Sequence, residues 1–306
     1  MNRILKYIAF ILMMALGACT DPVSKDTSSK LKIVCTTGMI EDAIKNICDT
    51  LVDVTSLMGP GIDPHLYKPS LDDLNLIRSA DIVVYNGLHL EGKMVDIFEK
   101  MSNQKPTLAM VEDNSKHSLI LADSVHGVHD PHVWFDVELW SHLIIDLGDH
   151  LGKIDTRNAL IFKDNAKAYA TSLRELHSET AQRISEIPKE QRILITAHDA
   201  FEYFGRAYDV RVEGLQGIST LAEFGLKDIT TLVNHVTENK IKAIFVESSV
   251  PKKSIEAVIE GCKAKGHNVI IGGTLYSDAM GDKGTNEGTY KGMVQHNVST
   301  IVNALK

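Results

Sequence analysis

The sequence predicts an α/β protein made of two similar β/α lobes with mostly parallel sheets, joined by one long helix. Three observations carry this. Short β-branched runs alternate with segments of helical period, the signature of parallel strands with crossover helices. That alternation occurs twice, once early and once late in the 306 residues. Between the two copies lies a stretch whose apolar residues recur every three or four positions.

The elements follow in order. Arg3 and Lys6 precede an apolar run from Tyr7 to Leu16. The run is shorter than the roughly 20 residues a membrane-spanning helix needs. It ends in Leu16-Gly17-Ala18-Cys19, small residues before a cysteine that resemble the lipobox of bacterial lipoproteins. The expectation is a signal peptide over 1–18, cleaved before Cys19, with lipid added to the Cys19 thiol. Residues 19–30 are polar and read as a flexible tether. The first lobe, 31–150, opens with a strand from Lys32 to Thr37 and a helix through Met39, Ile40, Ala43, Ile44 and Ile47. A strand from Val52 to Met58, a helix over Pro69–Ser79 and a strand at Asp81–Tyr85 follow. The second lobe, 189–306, repeats the theme. It has a strand at Arg192–Ala197, a helix around Phe201 and Phe204, a strand near Val210–Leu215, a helix over Leu226–Glu238 and a strand at Lys242–Val246.

Residues 151–188 are assigned to the linking helix. Phe162, Ala166, Tyr169, Leu173, Leu176, Ile184 and Ile187 hold one face, and Pro188 stops it. Roughly thirty residues at about 1.5 Å each give a rod of about 45 Å. The alternative is two shorter helices, and 152–155 already reads as a break.

Composition narrows the function. The formal net charge is −8, and deleting Arg3 and Lys6 with the leader makes the remainder more acidic. No basic stripe is present, which argues against a nucleic-acid partner. The four cysteines form no CxxC pair, so a thiolate zinc site is not expected. Cys35, Cys48 and Cys262 have apolar neighbours and read as buried free thiols, with a Cys35–Cys48 bridge left open.

Thirteen histidines are present. His142, His150, His177, His235, His267 and His296 sit in helical or polar stretches and read as ordinary surface residues. His117, His126 and His129 share a loop with Asp123 and Asp130 and read as solvated. His65, His132, His198 and Asp278 differ. His198 and Asp278 follow apolar strands directly, and His65 lies in the turn-rich Gly59-Pro60-Gly61-Ile62-Asp63-Pro64-His65. In open α/β sheets ligands bind beyond the carboxyl ends of strands. His65 and His132 are each preceded by Asp-Pro, which restricts the Asp backbone and fixes how the imidazole projects. Two such positions in each half point to a site in the cleft between the lobes.

The motifs GPGIDPHLY, DPHVWFD, TAHDAF, GLQGIS, FVESS and GGTLYSDAMG, in this order, resemble those of the cluster A-I (cluster 9) metal-binding solute-binding lipoproteins of ABC importers, in particular the TroA-type zinc/manganese receptors. The resemblance runs from about Leu31 to Leu305. It implies metal ligation by His65, His132, His198 and Asp278, and two α/β lobes on a long helix. Manganese-preferring members often carry Glu where this chain has His198. Zinc receptors often carry a long His-rich loop that is only faint here. The resemblance therefore implies a receptor for Zn2+ or Mn2+, docking on a membrane permease.

The chemistry agrees. Imidazole and carboxylate suit zinc and also accept manganese or Fe2+, with zinc favoured on intrinsic affinity. A bidentate Asp278 would raise the coordination number to five. Glu247, closing Ile244-Phe245-Val246, and Asp199, beside His198, are the candidates to orient an imidazole from outside the ligand set. Trp134 and Phe135 are candidates to keep His132 dry. Protons must leave the imidazoles, so affinity should fall near and below roughly pH 6. The expected role is an extracytoplasmic, lipid-anchored, monomeric receptor and not an enzyme. The alternatives are an adhesin-like surface lipoprotein and a metal-dependent hydrolase using Glu247 or Glu202 as base. Against the latter, four protein ligands leave little room for an activated water, and HExxH is absent.

Overall fold

The computed structural model describes residues 30–112, 116–123, 127–221 and 224–306. The leader over 1–18, Cys19, most of the 19–30 tether and His126 lie outside the described residues. No helix among the described residues is long and apolar enough to cross a membrane.

Strands β1 (Leu31–Cys35), β2 (Val52–Ser56), β3 (Ile82–Gly87) and β4 (Thr107–Val111) form a parallel sheet in the order β2-β1-β3-β4. Helices α1 (Gly38–Cys48), α2 (Leu71–Ser79) and α3 (Val95–Ser102) alternate with them. In α1 the buried side chains Met39, Ile40, Ala43, Ile44 and Ile47 follow the spacing read from sequence. Ser70 starts α2 with a reciprocal cap: its hydroxyl accepts the Asp73 N–H, and Asp73 accepts the Ser70 N–H. A short antiparallel pair, β5 (Leu121–Asp123) and β6 (Val128–His129), precedes the His132 motif.

Two helices connect the halves. In α4 (Val137–Ile154), Asp136 caps the first turn through the Leu139 N–H at 3.0 Å. Asp155 leaves helical geometry and takes the Asn158 amide at 2.7 Å, so the break expected near 152–155 is present. Residues 151–154 complete α4 rather than begin the next helix. The long helix α5 then runs unbroken over Ala159–Ser185, 27 residues, or about 40 Å. Its buried side chains include Phe162, Ala166, Tyr169, Leu173, Leu176 and Ile184. Gly148 lets α4 and α5 approach closely, since a Cβ there would stand 2.6 Å from the Ala166 Cβ.

The second half holds two parallel pairs, β7 (Ile193–His198) with β8 (Arg211–Gln216) and β9 (Ala243–Glu247) with β10 (Ile270–Leu275). Strands β7 and β9 lie side by side. Helices α6 (Glu202–Tyr208), α7 (Leu226–Glu238) and α8 (Lys253–Ala264) intervene, and α9 (Tyr290–Leu305) closes the chain against β10 and α5. One apolar core runs from Ile33 and Val84, through Trp140, Phe162 and Leu173, to Phe245, Met293 and Ile301. The halves are therefore packed through the long helix rather than strung on it. Cys35, Cys48 and Cys262 are buried free thiols. Burial pushes the Cys48 thiol up to about 12, with the Asp155 carboxylate adding to the shift, so it is inert as a nucleophile.

Candidate metal centre

Each of the four sequence-selected groups lies at the end of a strand or in the loop that follows one. His65 follows β2 in a loop turned by Gly61, whose φ of +70° suits a residue without a side chain. The Asp63 carboxylate accepts the His65 N–H at 2.8 Å, so the residue before Pro64 folds back to set the imidazole. The same device recurs at Asp130-Pro131-His132, where Asp130 Oδ1 accepts the His132 N–H at 2.9 Å. His198 is the last residue of β7, and Asp278 lies three residues beyond β10.

These four converge. One ligand atom from each of His65, His132, His198 and Asp278 lies within 4.8 Å of the others, and the residues are 1%, 0%, 0% and 2% exposed. His65 Nε2 is 3.3 Å from His132 Nε2. Asp278 Oδ1 is 3.4 Å from His132 Nε2, and Asp278 Oδ2 is 3.2 Å from His198 Nε2 and 3.7 Å from His65 Nε2. A tetrahedron with metal–nitrogen bonds of roughly 2.0–2.1 Å has edges of about 3.3–3.4 Å. The His65–His132, His132–Asp278 and His198–Asp278 separations lie near those edges, and the set as a whole is looser, within 4.8 Å. Both Asp278 oxygens face the imidazoles, and among the described residues neither has a hydrogen-bond partner. A buried carboxylate left in that state fits a cation.

The groups behind the ligands fix which nitrogen points inward. Glu247, the last residue of β9, places Oε2 2.5 Å from His198 Nδ1 and accepts the His198 N–H on Oε1 at 2.8 Å. Asp130 Oδ1 is 2.7 Å from His132 Nδ1. A proton held on Nδ1 beside each carboxylate would leave the Nε2 lone pair for an ion at the centre. Glu247 was legible in the sequence, but Asp130 was read only as one acid in a solvated loop. The signal for it was the repeated Asp-Pro-His, in which only the second Asp also reaches the ring. Asp199 takes no such part. Its N–H bonds the Gln216 carbonyl, its Oδ1 has no hydrogen-bond partner, and burial together with the Asp130 charge pushes its carboxyl up to about 6.

Electrostatics divide the imidazoles. Burial disfavours a proton on all three. His132 is nonetheless held up at about 9 by Asp130 and Asp278. His198 is held well above its usual value by Glu247 and Asp278. His65 has no carboxylate behind its ring, and burial and the neighbouring imidazoles hold it down at about 3. Burial opposes the Asp278 charge, but His198 and His132 outweigh it and keep the carboxyl well below its usual range.

Aromatic residues seal the site. Trp134 packs edge-on to His132 with ring centres 5.3 Å apart, and Phe135 stacks on Phe201 at 4.2 Å. Trp134 Nε1 also donates to the Ser277 carbonyl at 3.1 Å, beside Asp278. Other histidines are spent locally. His117 pairs with Asp146, His235 with Glu213, and His267 and His296 with backbone carbonyls.

The chain is similar to known metal-binding proteins. Residues 33–304 match the family described as ZnuA, zinc-uptake complex component A, periplasmic. The manganese-binding lipoprotein MntA of Bacillus subtilis (strain 168) is 49% identical over 299 residues, covering 98% of this chain and 97% of the relative. The zinc-binding protein TroA of Treponema pallidum (strain Nichols) is 44% identical over 284 residues, covering 92% of each. A solved structure of the periplasmic zinc-binding protein TroA from Treponema pallidum superposes with a TM-score of 0.87, covering 90% of this chain and 99% of that one. With the family's pattern extending over nearly the whole described chain, the protein belongs to the ZnuA family of periplasmic zinc-uptake components.

Proposed function

We propose that this protein is the extracytoplasmic substrate-binding receptor of an ABC importer, capturing one divalent transition-metal ion, zinc and/or manganese. His65, His132, His198 and Asp278 are the ligands, and Glu247 and Asp130 set the tautomers of His198 and His132. The observation that carries this is the convergence of three buried imidazole nitrogens and one buried carboxylate within 4.8 Å of one another. The names of the relatives support it: one binds manganese and another zinc. Four ligands suit zinc, and a bidentate Asp278 gives the five-coordination that also serves manganese.

In this reading residues 31–150 and 189–306 are the two lobes, and 151–188 is the connection. The leader over 1–18 is removed, and lipid on Cys19 anchors a monomer to a bacterial membrane beside its permease partner. Relatives named lipoproteins support the anchor. The protein is a carrier and not an enzyme, because ligands that are 0–2% exposed leave no face for a substrate and an activated water. Capture proceeds as the ion enters, protons leave His132 and His198, and Trp134 and Phe135 exclude solvent.

The test is elemental analysis of purified protein, followed by zinc and manganese titration after chelation. One ion per chain is expected, with loss of binding in H65A, H132A, H198A and D278A. Full occupancy in all four variants would overturn the assignment. Ester or phosphate turnover would favour a hydrolase, and host-molecule binding that survives in H198A would favour an adhesin.

A further inference from the structure

Asp278, like His65 and His132, is carried by irregular chain. It sits in the irregular stretch between β10 and α9, where no helix or strand fixes it. On its own side of the cleft this stretch is held by Ser249 Oγ against Ser277 Oγ at 2.9 Å and by Asn297, whose amide brackets Tyr276 at 2.9 and 2.7 Å. At two places the stretch is bonded to the first half. One is Trp134 to Ser277, just before the ligand. The other comes after it: Lys283 Nζ donates to Glu41 Oε1 at 3.0 Å and lies 2.8 Å from Oε2. Glu41 belongs to α1 and is only 5% exposed. Its carboxylate also takes Lys45 Nζ at 2.9 Å and Ser56 Oγ at 2.7 Å. Between the ligand and the ion pair, Met280 lies against Gly38, the first residue of α1, with its Cε 3.2 Å from where a Cβ would stand. The contact surface around α1 is thus shaped to receive the stretch that carries Asp278.

We infer that the Glu41–Lys283 ion pair is a cross-cleft tether that holds Asp278 on the ion and so sets how slowly the ion is released. Both are positioning residues, acting through the chain between 278 and 283. The inference rests on the proposed receptor function and adds a determinant of its release step. A rigid core already joins the halves at the long helix. Away from that core the halves meet through irregular chain, where Thr220 Oγ1 donates to Asp63 Oδ2 at 2.6 Å and the Glu41–Lys283 pair holds the stretch that carries Asp278. The two lysines on Glu41 provide the discriminating comparison. Lys45 bonds the same carboxylate from within α1, at i,i+4, and crosses nothing. Lys283 bonds it from the other half.

The experiment loads the protein with zinc, mixes it with excess chelator and follows ion release by stopped flow, after confirming one ion per chain. K283M is expected to release zinc about fivefold faster, since Lys283 is partly solvated and such pairs are worth less than buried ones. K283R keeps the charge and the reach and is expected to restore slow release. K45M is expected to leave the rate unchanged. E41Q should speed release, and E41Q/K283M should be no faster than the faster single variant, because both remove one interaction. Release from K283M within twofold of the unaltered protein would overturn the tether, as would K45M accelerating release as much as K283M. Failure of the unaltered protein to bind any ion would instead overturn the receptor reading beneath it.

Discussion

Capturing a divalent ion at this centre should expel about two protons at neutral pH, because two of the three imidazoles are held charged in the metal-free protein. His132 is kept protonated up to about 9 by Asp130 and Asp278, and His198 well above its usual value by Glu247 and Asp278. His65, held at about 3, is already neutral. The geometry is consistent: a proton on His132 Nε2 can be donated to His65 Nε2, 3.3 Å away. Each imidazole must present a lone pair to the ion, so both protons have to leave. Below the His132 value the apparent affinity should then rise by about a hundredfold per pH unit, two powers of ten for two protons. The assay is calorimetric titration of zinc into chelated protein at about pH 7, in buffers of different ionisation enthalpy. The slope of observed heat against buffer enthalpy, corrected for metal–buffer binding, counts the protons. A count near or below about 0.7 proton per ion, the release expected of three unperturbed imidazoles at about pH 7, would refute the reasoning. The sequence alone led to that milder expectation, a loss of affinity only near and below roughly pH 6.

Four further outcomes are expected. E247Q presents an amide to His198 Nδ1, disturbs its tautomer and should weaken zinc binding by about 10–100-fold while lowering the proton count by about one; chelator competition and the same calorimetry measure both. W134F removes the donor to the Ser277 carbonyl and should cost about 2 kcal/mol of stability, read from denaturant unfolding of metal-free protein. G214A places a Cβ 2.5 Å from the Asp199 backbone nitrogen and 2.7 Å from the His198 carbonyl carbon, so about 1–3 kcal/mol of overpacking should appear together with weaker metal binding. In the metal-free protein, the stabilisation from protonated His132 is fully present below its unfolded value near 6.5 and is lost as pH rises through about 9. Melting temperature should therefore decline over that window in the chelated protein and much less in the loaded one.

Local pattern made much of this molecule legible. The periods of two and three to four placed β1, α1, β3, β7 and α7 within a few residues of their ends, and Leu226–Glu238 matched at both ends. Pro188 and the break near Asp155 bounded the long helix because a missing N–H and a non-helical residue act on their own neighbours. The centre's four groups were legible because each stands in a turn-rich or strand-end motif. Asp130 was missed because the same Asp-Pro-His that identifies it in retrospect recurs around His65, where the Asp holds only the backbone. Glu247 was found from its place at a strand end, whereas Asp199, adjacent to His198 in sequence, makes no hydrogen bond to the His198 ring among the described residues.

The sequence by itself determined the strands, the helices and the identity of the four groups, because these follow from spacing and from backbone limits acting over a few residues. Only the tertiary structure decided that His65, His132, His198 and Asp278 converge within 4.8 Å, that Asp130 and Glu247 stand behind two of the rings and no carboxylate behind the third, and that Lys283 reaches Glu41 across the cleft. Those relations depend on how one continuous core packs α1, α5 and α9 against both sets of strands. Separations of about 3 Å between residues far apart in the chain are set by that packing, which no local pattern encodes.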